Sequence, residues 1–205
     1  HKDISIELQN KIYNKVKSKI KNYDALLFSD FNYGCLPKNL VSRLSSLCKK
    51  QKIKVFADSQ SSSQFGDIQK YSYMDIIFPT EYEARTSLKN FNDGLFIISD
   101  KLLKTTNSKN IILKLGSEGI LINGEEQNKS NQYLTDKIDG LNVNPKDSNG
   151  AGDSLFITSS LSFAANSNIW FASLLGSIAA SIQISKLGNN PISIKDLLIA
   201  IKDWK

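Results

Sequence analysis

The chain has little of several residue types, and each shortage excludes a class of protein. It contains two cysteines, Cys35 and Cys48, and one histidine, His1. These residues are too few and too scattered for a disulfide framework or a zinc site, so Cys48 is expected to pack as a small hydrophobic residue. Apolar runs are short, and none approaches the roughly 18 residues of a membrane helix. No signal-peptide pattern is seen, so we expect a soluble, cytoplasmic protein.

Positive charge is the main compositional bias, with a formal net charge of +6. The densest lysines lie between Lys11 and Lys21 in a helix-like stretch with few aromatic residues, so no stacking platform for bases accompanies them. We interpret this group as a solvated helix face and predict no nucleic-acid partner and no membrane partner. The charge would still attract small polyanions.

Strands and helices alternate through the first two thirds of the chain. Buried strands are predicted at 25–29, 53–57, 75–78 and 111–115, followed by a hairpin-like strand at 119–122 with Asn123-Gly124 as its turn. Helices are predicted at 37–51, 81–88, 154–165, 168–187 and 193–204, while 96–99 fits either a strand or a helix entry. This order predicts βαβ units, a mainly parallel sheet and a single domain over residues 1–205.

The stretch Asn149-Gly150-Ala151-Gly152-Asp153 opens the first of the late helices. Small residues at a helix start let backbone amides converge on an anion, and the helix dipole adds positive potential. Asp153 in the first turn could accept a proton from an attacking hydroxyl. The alternative is an ordinary helix start, capped by Asn149, with Asp153 balancing the dipole.

Residues 147–153, Asp-Ser-Asn-Gly-Ala-Gly-Asp, resemble the D-T-T-G-A-G-D signature of the ribokinase (PfkB-type) sugar kinase family. Three further segments are similar to family motifs in the same order: 79–84 to the P-N-x-x-E-A magnesium loop, 114–119 to the T-L-G-x-x-G nucleotide loop, and 186–191 to the loop after the adenine-side helices. Residues 29–34 and 57–60 look most like the heptose-phosphate kinase branch. The resemblance implies a ribokinase-like three-layer α/β/α fold with a mainly parallel central sheet.

The resemblance also implies ATP-dependent phosphoryl transfer to a hydroxyl of a sugar or sugar phosphate. Asp153 would be the base, and the amides of Gly150, Ala151 and Gly152 would meet the charge on the transferred group. The remaining implied roles are nucleotide binding by Lys114, Gly116, Ser117, Gly119, Ser177 and Gly188, substrate contact by Asp30 and Asp58, magnesium ordering by Glu83, and a possible monovalent cation near Asp147.

Each of these residues also has a purely structural interpretation. Asp30 and Asp58 follow predicted strands and suit turns or helix caps equally well. Glu83 fits an exposed first-turn carboxylate, and Lys114 fits a strand-end lysine that keeps its ammonium in water. These alternatives stay open at the level of the sequence.

Several departures from the family pattern bear on substrate and activity. Thr80 replaces the usual Asn, Ser148-Asn149 replaces Thr-Thr, Lys114 stands where Thr is common, and Tyr33 replaces the Lys of the heptose-like branch. Family members are longer at the N-terminus, where sugar-binding groups and a lid that often mediates dimers lie, so we expect this chain to correspond to their C-terminal two thirds. The alternatives are a non-catalytic, kinase-derived nucleotide-binding or regulatory module and one part of a fused kinase–nucleotidyltransferase.

Overall fold

The computed structural model describes residues 2–60, 67–125, 133–142 and 144–203. Within these ranges the strands are β1 (Ala25–Asp30), β2 (Lys54–Ser59), β3 (Ile76–Ile77), β4 (Asn110–Lys114), β5 (Ile120–Glu125) and β6 (Tyr133–Ile138). The α-helices are α1 (Ile6–Lys19), α2 (Lys38–Gln51), α3 (Glu81–Leu88), α4 (Leu95–Thr106), α5 (Ala151–Ala164), α6 (Ile169–Ile184) and α7 (Ile194–Asp203).

The described strands form one sheet in chain order, from β1 to β6. Parallel pairing joins β1 to β2 in the register Ala25↔Lys54 to Asp30↔Ser59, and β3 pairs in parallel with both β2 and β4. Helices or helical turns connect these strands, because a parallel pair needs a crossover. The prediction of a mainly parallel α/β sheet is therefore confirmed.

The chain divides into two compact units. Unit 1 comprises residues 1–113 and 123–134, and unit 2 comprises residues 114–122 and 135–205. Organisation as a single domain over residues 1–205 stays a prediction.

The core of unit 1 packs helices against the parallel strands. Helix α2 places Leu40, Val41 and Leu44 on one buried face, as its apolar spacing predicts. The strands contribute Val55, Phe56, Ala57, Ile76, Ile77, Ile111, Ile112 and Leu113, all buried. Strands buried on both faces are typical of parallel sheets.

Cys48 is fully buried on α2, which confirms its predicted packing role. Burial, together with the nearby charge of Asp75, raises the pKa of its thiol to about 11. The thiolate is therefore scarce at neutral pH, and the residue acts as a packed hydrophobe.

The core of unit 2 is the close contact of α5 and α6. Gly176 on α6 faces Ser159 and Leu155 of α5, and a Cβ at residue 176 would overlap both. The two helices can approach this closely because small residues meet at the contact. Helix α7 packs on α6 and carries exposed apolar residues, among them Leu198 and Ile199.

Local differences separate the predicted and observed elements. The predicted turn at Asn123-Gly124 is wrong, since both residues lie inside β5 and Asn123 is buried. Residues 96–99 belong to α4, so the helical alternative holds there. The predicted helix end at Trp204 lies outside the described residues. No described helix has the length and apolarity needed to span a membrane.

Candidate active site

The first turn of α5 forms the corner predicted to bind phosphate, defined here as residues 149–153. Gly150 is the N-cap residue and has a left-handed backbone with φ +78°. A Cβ at this position would overlap the Oδ1 of Asn189. The helix then begins at Ala151, and within the described residues the amide of Gly152 has no backbone acceptor. An amide left in this way at a helix start is suited to an anion.

Asn149 does not cap this helix, because Gly150 occupies the N-cap position and no side chain caps it. The ordinary-helix-start alternative is therefore wrong for Asn149. A left-handed glycine turns the chain into the helix without a side-chain acceptor. The Ala151 amide donates to the Ser148 carbonyl oxygen at 3.4 Å, and the Gly152 amide is left for another partner.

Lys114 lies beside the corner within unit 2. Its Nζ lies 3.7 Å from the position that a Cβ on Gly152 would occupy. The ammonium is therefore next to the helix start, where it adds positive potential to that of the amides. Asp153 occupies the same first turn and is half-buried.

Asp147 ties two loops of unit 2 together. Its Oδ1 accepts from the Asn149 amide at 3.0 Å, and its Oδ2 accepts from the Gly188 amide at 3.0 Å. The Asn149 amide and then the Gly188 amide hold the pKa of this carboxyl below its usual range. Asp147 thus orders the chain immediately before the corner, whether or not a cation binds there.

Gln183 supports the same loops and was not predicted from the sequence. It is buried on α6, and its Nε2 lies 3.3 Å from both the Asn149 carbonyl oxygen and the Asn189 Oδ1, and 3.4 Å from the Gly188 carbonyl oxygen. A glutamine in an apolar helix carries no motif of its own. Only its position, one turn before the Gly188 loop, could have drawn attention to it.

Within the predicted nucleotide loop, residues 114–119, Gly116–Glu118 form a tight 3-10 turn after β4. Gly119 has φ +91°, and its Cβ would overlap the backbone of Ile138 and Asp139. Gly140 approaches the Ser117 carbonyl oxygen in the same manner, and this glycine was also missed. By contrast, a Cβ on Gly116 would meet no heavy atom within 4 Å, so this side of the loop leaves room for a ligand.

Gly188 has φ +75° and is exposed, as a glycine after a helix end is expected to be. Helix α6 itself ends at Ile184, three residues before the predicted end at Leu187. Ser177 is half-buried on α6, six residues before Gln183, which corresponds to about 9 Å along the helix axis. Its contact with a nucleotide stays a prediction.

In unit 1, Asp30 is the centre of a buried polar cluster at the end of β1. Its Oδ1 accepts from the Asn32 amide at 2.9 Å, and its Oδ2 accepts from the Tyr71 hydroxyl at 2.6 Å and from the Lys70 ammonium. Asn32 extends the cluster by donating to the Gln60 carbonyl oxygen at 2.6 Å. Both carboxylate oxygens of Asp30 accept hydrogen bonds from these donors. Asp30 therefore orders the loop at the end of β1, in addition to any contact with substrate.

Asp58, also at a strand end, is fully buried on β2. Burial raises the pKa of the Tyr71 hydroxyl well above its usual range, and the hydrogen bond to Asp30 and the charges of Asp30 and Asp58 add to the shift. Tyr71 therefore stays protonated and remains a donor to Asp30.

Glu83 forms a capping box with Thr80 at the start of α3. The Thr80 amide donates to its Oε2 at 2.7 Å, and the Glu83 amide donates to Thr80 Oγ1 at 3.2 Å. The threonine that replaces the family's asparagine thus keeps the capping function. Glu83 is buried rather than an exposed first-turn carboxylate, so that alternative is wrong.

Across the described residues, no group of three or more His, Cys, Asp or Glu side chains could hold a metal ion.

Curated proteins similar to this chain include bifunctional proteins of two bacteria. The chain is 26% identical over 189 residues to the bifunctional protein HldE of Sulfurimonas denitrificans, covering 91% of this chain and 37% of that protein. It is 27% identical over 209 residues to bifunctional protein HldE of Campylobacter jejuni, and the match covers 95% of this chain and 41% of that protein. The chain thus spans about two fifths of the length of these curated relatives.

Solved structures share the fold. Arabidopsis thaliana ribokinase, solved with ribose and ATP, matches with a TM-score of 0.74 and 18% identity over 92% of this chain and 59% of its own. Escherichia coli phosphofructokinase-2 matches with a TM-score of 0.73 and 16% identity, over 93% of this chain and 61% of its own. The fold is therefore the ribokinase-like α/β class, as predicted.

The family follows from a direct match. Residues 5–195 match the pfkB family carbohydrate kinases, which is most of the chain. The chain belongs to this family, and the resemblance drawn from its motifs is confirmed.

Proposed function

We propose that this chain carries the nucleotide-binding and catalytic part of a sugar kinase, which transfers a phosphoryl group from ATP to a hydroxyl of a sugar or sugar phosphate. The observation that carries the proposal is the corner at residues 149–153. There a left-handed Gly150, the helix-start amide of Gly152 and the Lys114 ammonium lie together, with Asp153 in the same turn.

Each part of the corner has a chemical role in this proposal. Asp153 accepts the proton of the attacking hydroxyl, or orients that hydroxyl when proton transfer is late. The amides of Gly150, Ala151 and Gly152 stabilise negative charge on the transferred group, and Lys114 supplies a cation 3.7 Å from the position of a Gly152 Cβ. Such charges act strongly because they are held in place before the reaction.

The nucleotide is proposed to lie along the loops of unit 2. Gly116 leaves open space for it, Ser117 and Gly119 shape the turn, and Ser177 and Gly188 border the base. When bound, Mg²⁺ neutralises phosphate charge, and Glu83 would act on its water shell. Asp147 would help hold a monovalent cation only through lone pairs left beside its two amide bonds.

The substrate class is proposed from the motifs and the relatives. Asp30 and Asp58 would contact the sugar, as the resemblance implies, and the similarity to HldE proteins favours a sugar phosphate. Tyr33 lacks the cation that the heptose-like branch has at this position, so substrates other than heptose phosphates belong in any panel.

The proposal predicts that Asp153→Asn lowers turnover by about 10²–10⁴-fold, because the base is lost while the amides of the corner remain. Calorimetric titration with ATP and magnesium should give nearly unchanged affinity. Turnover would be measured as ADP release with a panel of sugars and sugar phosphates. Asp139→Asn, at an exposed carboxylate in unit 2, is the matched control and should retain activity.

Full turnover in Asp153→Asn would contradict the role of this residue as base. Saturable ATP binding by the folded wild-type chain without transfer to any acceptor would instead support a non-catalytic nucleotide-binding module. Absence of ATP binding would contradict both functions for the chain alone.

A further inference from the structure

A basic groove runs along α2 within unit 1. Its lining contains none of the residues proposed above to bind nucleotide, substrate or metal, although Lys70, which bonds Asp30, borders it. Its volume is about 630 Å³, which lies within the range of small-molecule sites. The groove is lined by 16 residues, and the chain has 26 Lys and Arg among its 205 residues. At that average frequency the lining would contain about two cationic side chains. It contains six lysines: Lys38, Lys49, Lys52, Lys54, Lys70 and Lys109.

The positive charge of this groove is only partly compensated. Its one lining carboxylate, Asp75, bonds through Oδ1 to Lys109 at 2.7 Å and through Oδ2 to the Val55 amide at 2.8 Å. Lys70 is paired with Asp30 outside the lining. Among the described residues, Lys49 and Lys52 are exposed and have no carboxylate within ion-pair distance.

An aromatic side chain borders the lysine-rich end. Tyr73 is 63% exposed, and the Lys49 Nζ lies 5.3 Å from its ring centroid. Its backbone is left-handed, with φ +63°, and is held by a bond from its amide to the Thr106 carbonyl oxygen at 2.8 Å. This conformation is unfavourable for a bulky residue, and such outliers concentrate at functional sites.

The lysine-rich end lies at the amino ends of the strands. Lys54 begins β2, and Lys109 directly precedes β4. Asp30 and Asp58 lie at the opposite ends, and Asp58 follows Lys54 by four steps along β2, or about 13 Å. The groove end is therefore distinct from the proposed substrate contacts.

We propose that this end of the groove, formed by Lys49, Lys52, Lys54, Tyr73 and Lys109, binds the polyphosphate group of a small anion. Several ammonium groups around one opening match a chain of phosphates, whose oxygens accept charge-assisted hydrogen bonds. The exposed face of Tyr73 could also stack on a base. Two sources share this chemistry: an inorganic polyphosphate and a nucleoside polyphosphate.

Lysine acetylation, read residue by residue by mass spectrometry, tests the proposal on the intact chain at about 0.15 M salt, where diffuse surface attraction is screened. Sodium tripolyphosphate should slow acetylation of Lys49 and Lys52 saturably, while Lys15 and Lys17 on α1 react at unchanged rates. Because each lysine is read separately, binding at Lys114 is scored independently of the groove.

A pair of double variants provides the matched control. In each variant, tripolyphosphate binding is followed as the saturation of acetylation protection at Lys109. Lys49→Ala/Lys52→Ala should weaken this binding by about tenfold or more, since charge-assisted contacts are lost. Lys15→Ala/Lys17→Ala removes the same charge from α1 and should change the affinity less than about twofold. Circular dichroism would verify that both variants fold.

Equal weakening by the two double variants, or equal protection of Lys15 and Lys17, would overturn the proposal in favour of diffuse attraction. Absence of protection at millimolar tripolyphosphate and at millimolar ATP would overturn it as well. Protection by tripolyphosphate alone would identify the ligand of the groove as an inorganic polyphosphate. Equal or stronger protection by ATP would identify it as a nucleoside polyphosphate.

Discussion

At the scale of single residues, Gly150 and Gly116 are constrained for different reasons. Both have positive φ, +78° and +64°. A Cβ on Gly150 would also overlap Asn189, whereas a Cβ on Gly116 would enter open space. Comparing alanine substitutions at the two positions therefore separates the cost of the left-handed backbone from the cost of steric overlap.

We predict that Gly116→Ala lowers the free energy of unfolding by about 1–2 kcal/mol, because only the left-handed backbone resists the new side chain. Gly150→Ala should cost more, since Asn189 must also move. Urea unfolding followed by circular dichroism measures both. Equal losses in the two variants would show that Asn189 gives way without cost.

At this scale the sequence located the glycines and the carboxylate of the candidate site, whose roles stay predictions. Gly150, Gly152 and Asp153 occupy a motif whose backbone requirements can be stated without a structure. Gln183 and Gly140 could not be predicted in this way, because their roles arise from contacts with loops distant in the chain.

At the scale of elements, α3 begins at Glu81, as predicted, and it ends at Leu88. Its start is encoded locally, because Thr80 and Glu83 cap one another across three residues. The turn at Asn123-Gly124 failed as a prediction because pairing in the sheet extended β5 through a sequence with turn propensity.

We predict that Thr80→Ala lowers the free energy of unfolding by about 0.5–2 kcal/mol, since the first turn of α3 loses its side-chain acceptor. Thr80→Asn should stay close to wild type, because asparagine is a good N-cap and is the residue common in the family at this position. Thermal unfolding of the three proteins compares them. A loss in Thr80→Asn equal to that in Thr80→Ala would argue against capping as the main role.

At the scale of the whole molecule, several carboxylates contribute to stability as anions. The pKa of Asp147 is lowered chiefly by the Asn149 amide, that of Asp93 by the Lys101 ammonium, and that of Asp196 by the Ser193 amide. A folded pKa below the unfolded value means that the unfolded chain binds more protons in acid. Their contribution is therefore present above the unfolded pKa, and it is lost as the pH falls through the folded values.

We predict that the melting temperature falls as the pH is lowered from about 5 to about 2, a range that spans the ordinary aspartate pKa of about 3.9 and extends below it. Asp147→Asn should flatten part of this slope. Asp3→Asn, at an exposed carboxylate that accepts no hydrogen bond from the described residues, should retain the wild-type slope. An unchanged slope in Asp147→Asn would show that its two amide bonds do not stabilise the fold.

The sequence by itself determined the family, the alternation of strands and helices, and the loops at Gly116 and Gly150. It could do so because apolar periodicity, helix capping and glycine conformation depend on neighbouring residues. Tertiary structure alone decided that Asp147 joins Asn149 to Gly188, that Lys70 and Tyr71 bond Asp30, and that scattered lysines line one groove. These features depend on contacts between residues far apart in the chain, which form only when the core is packed.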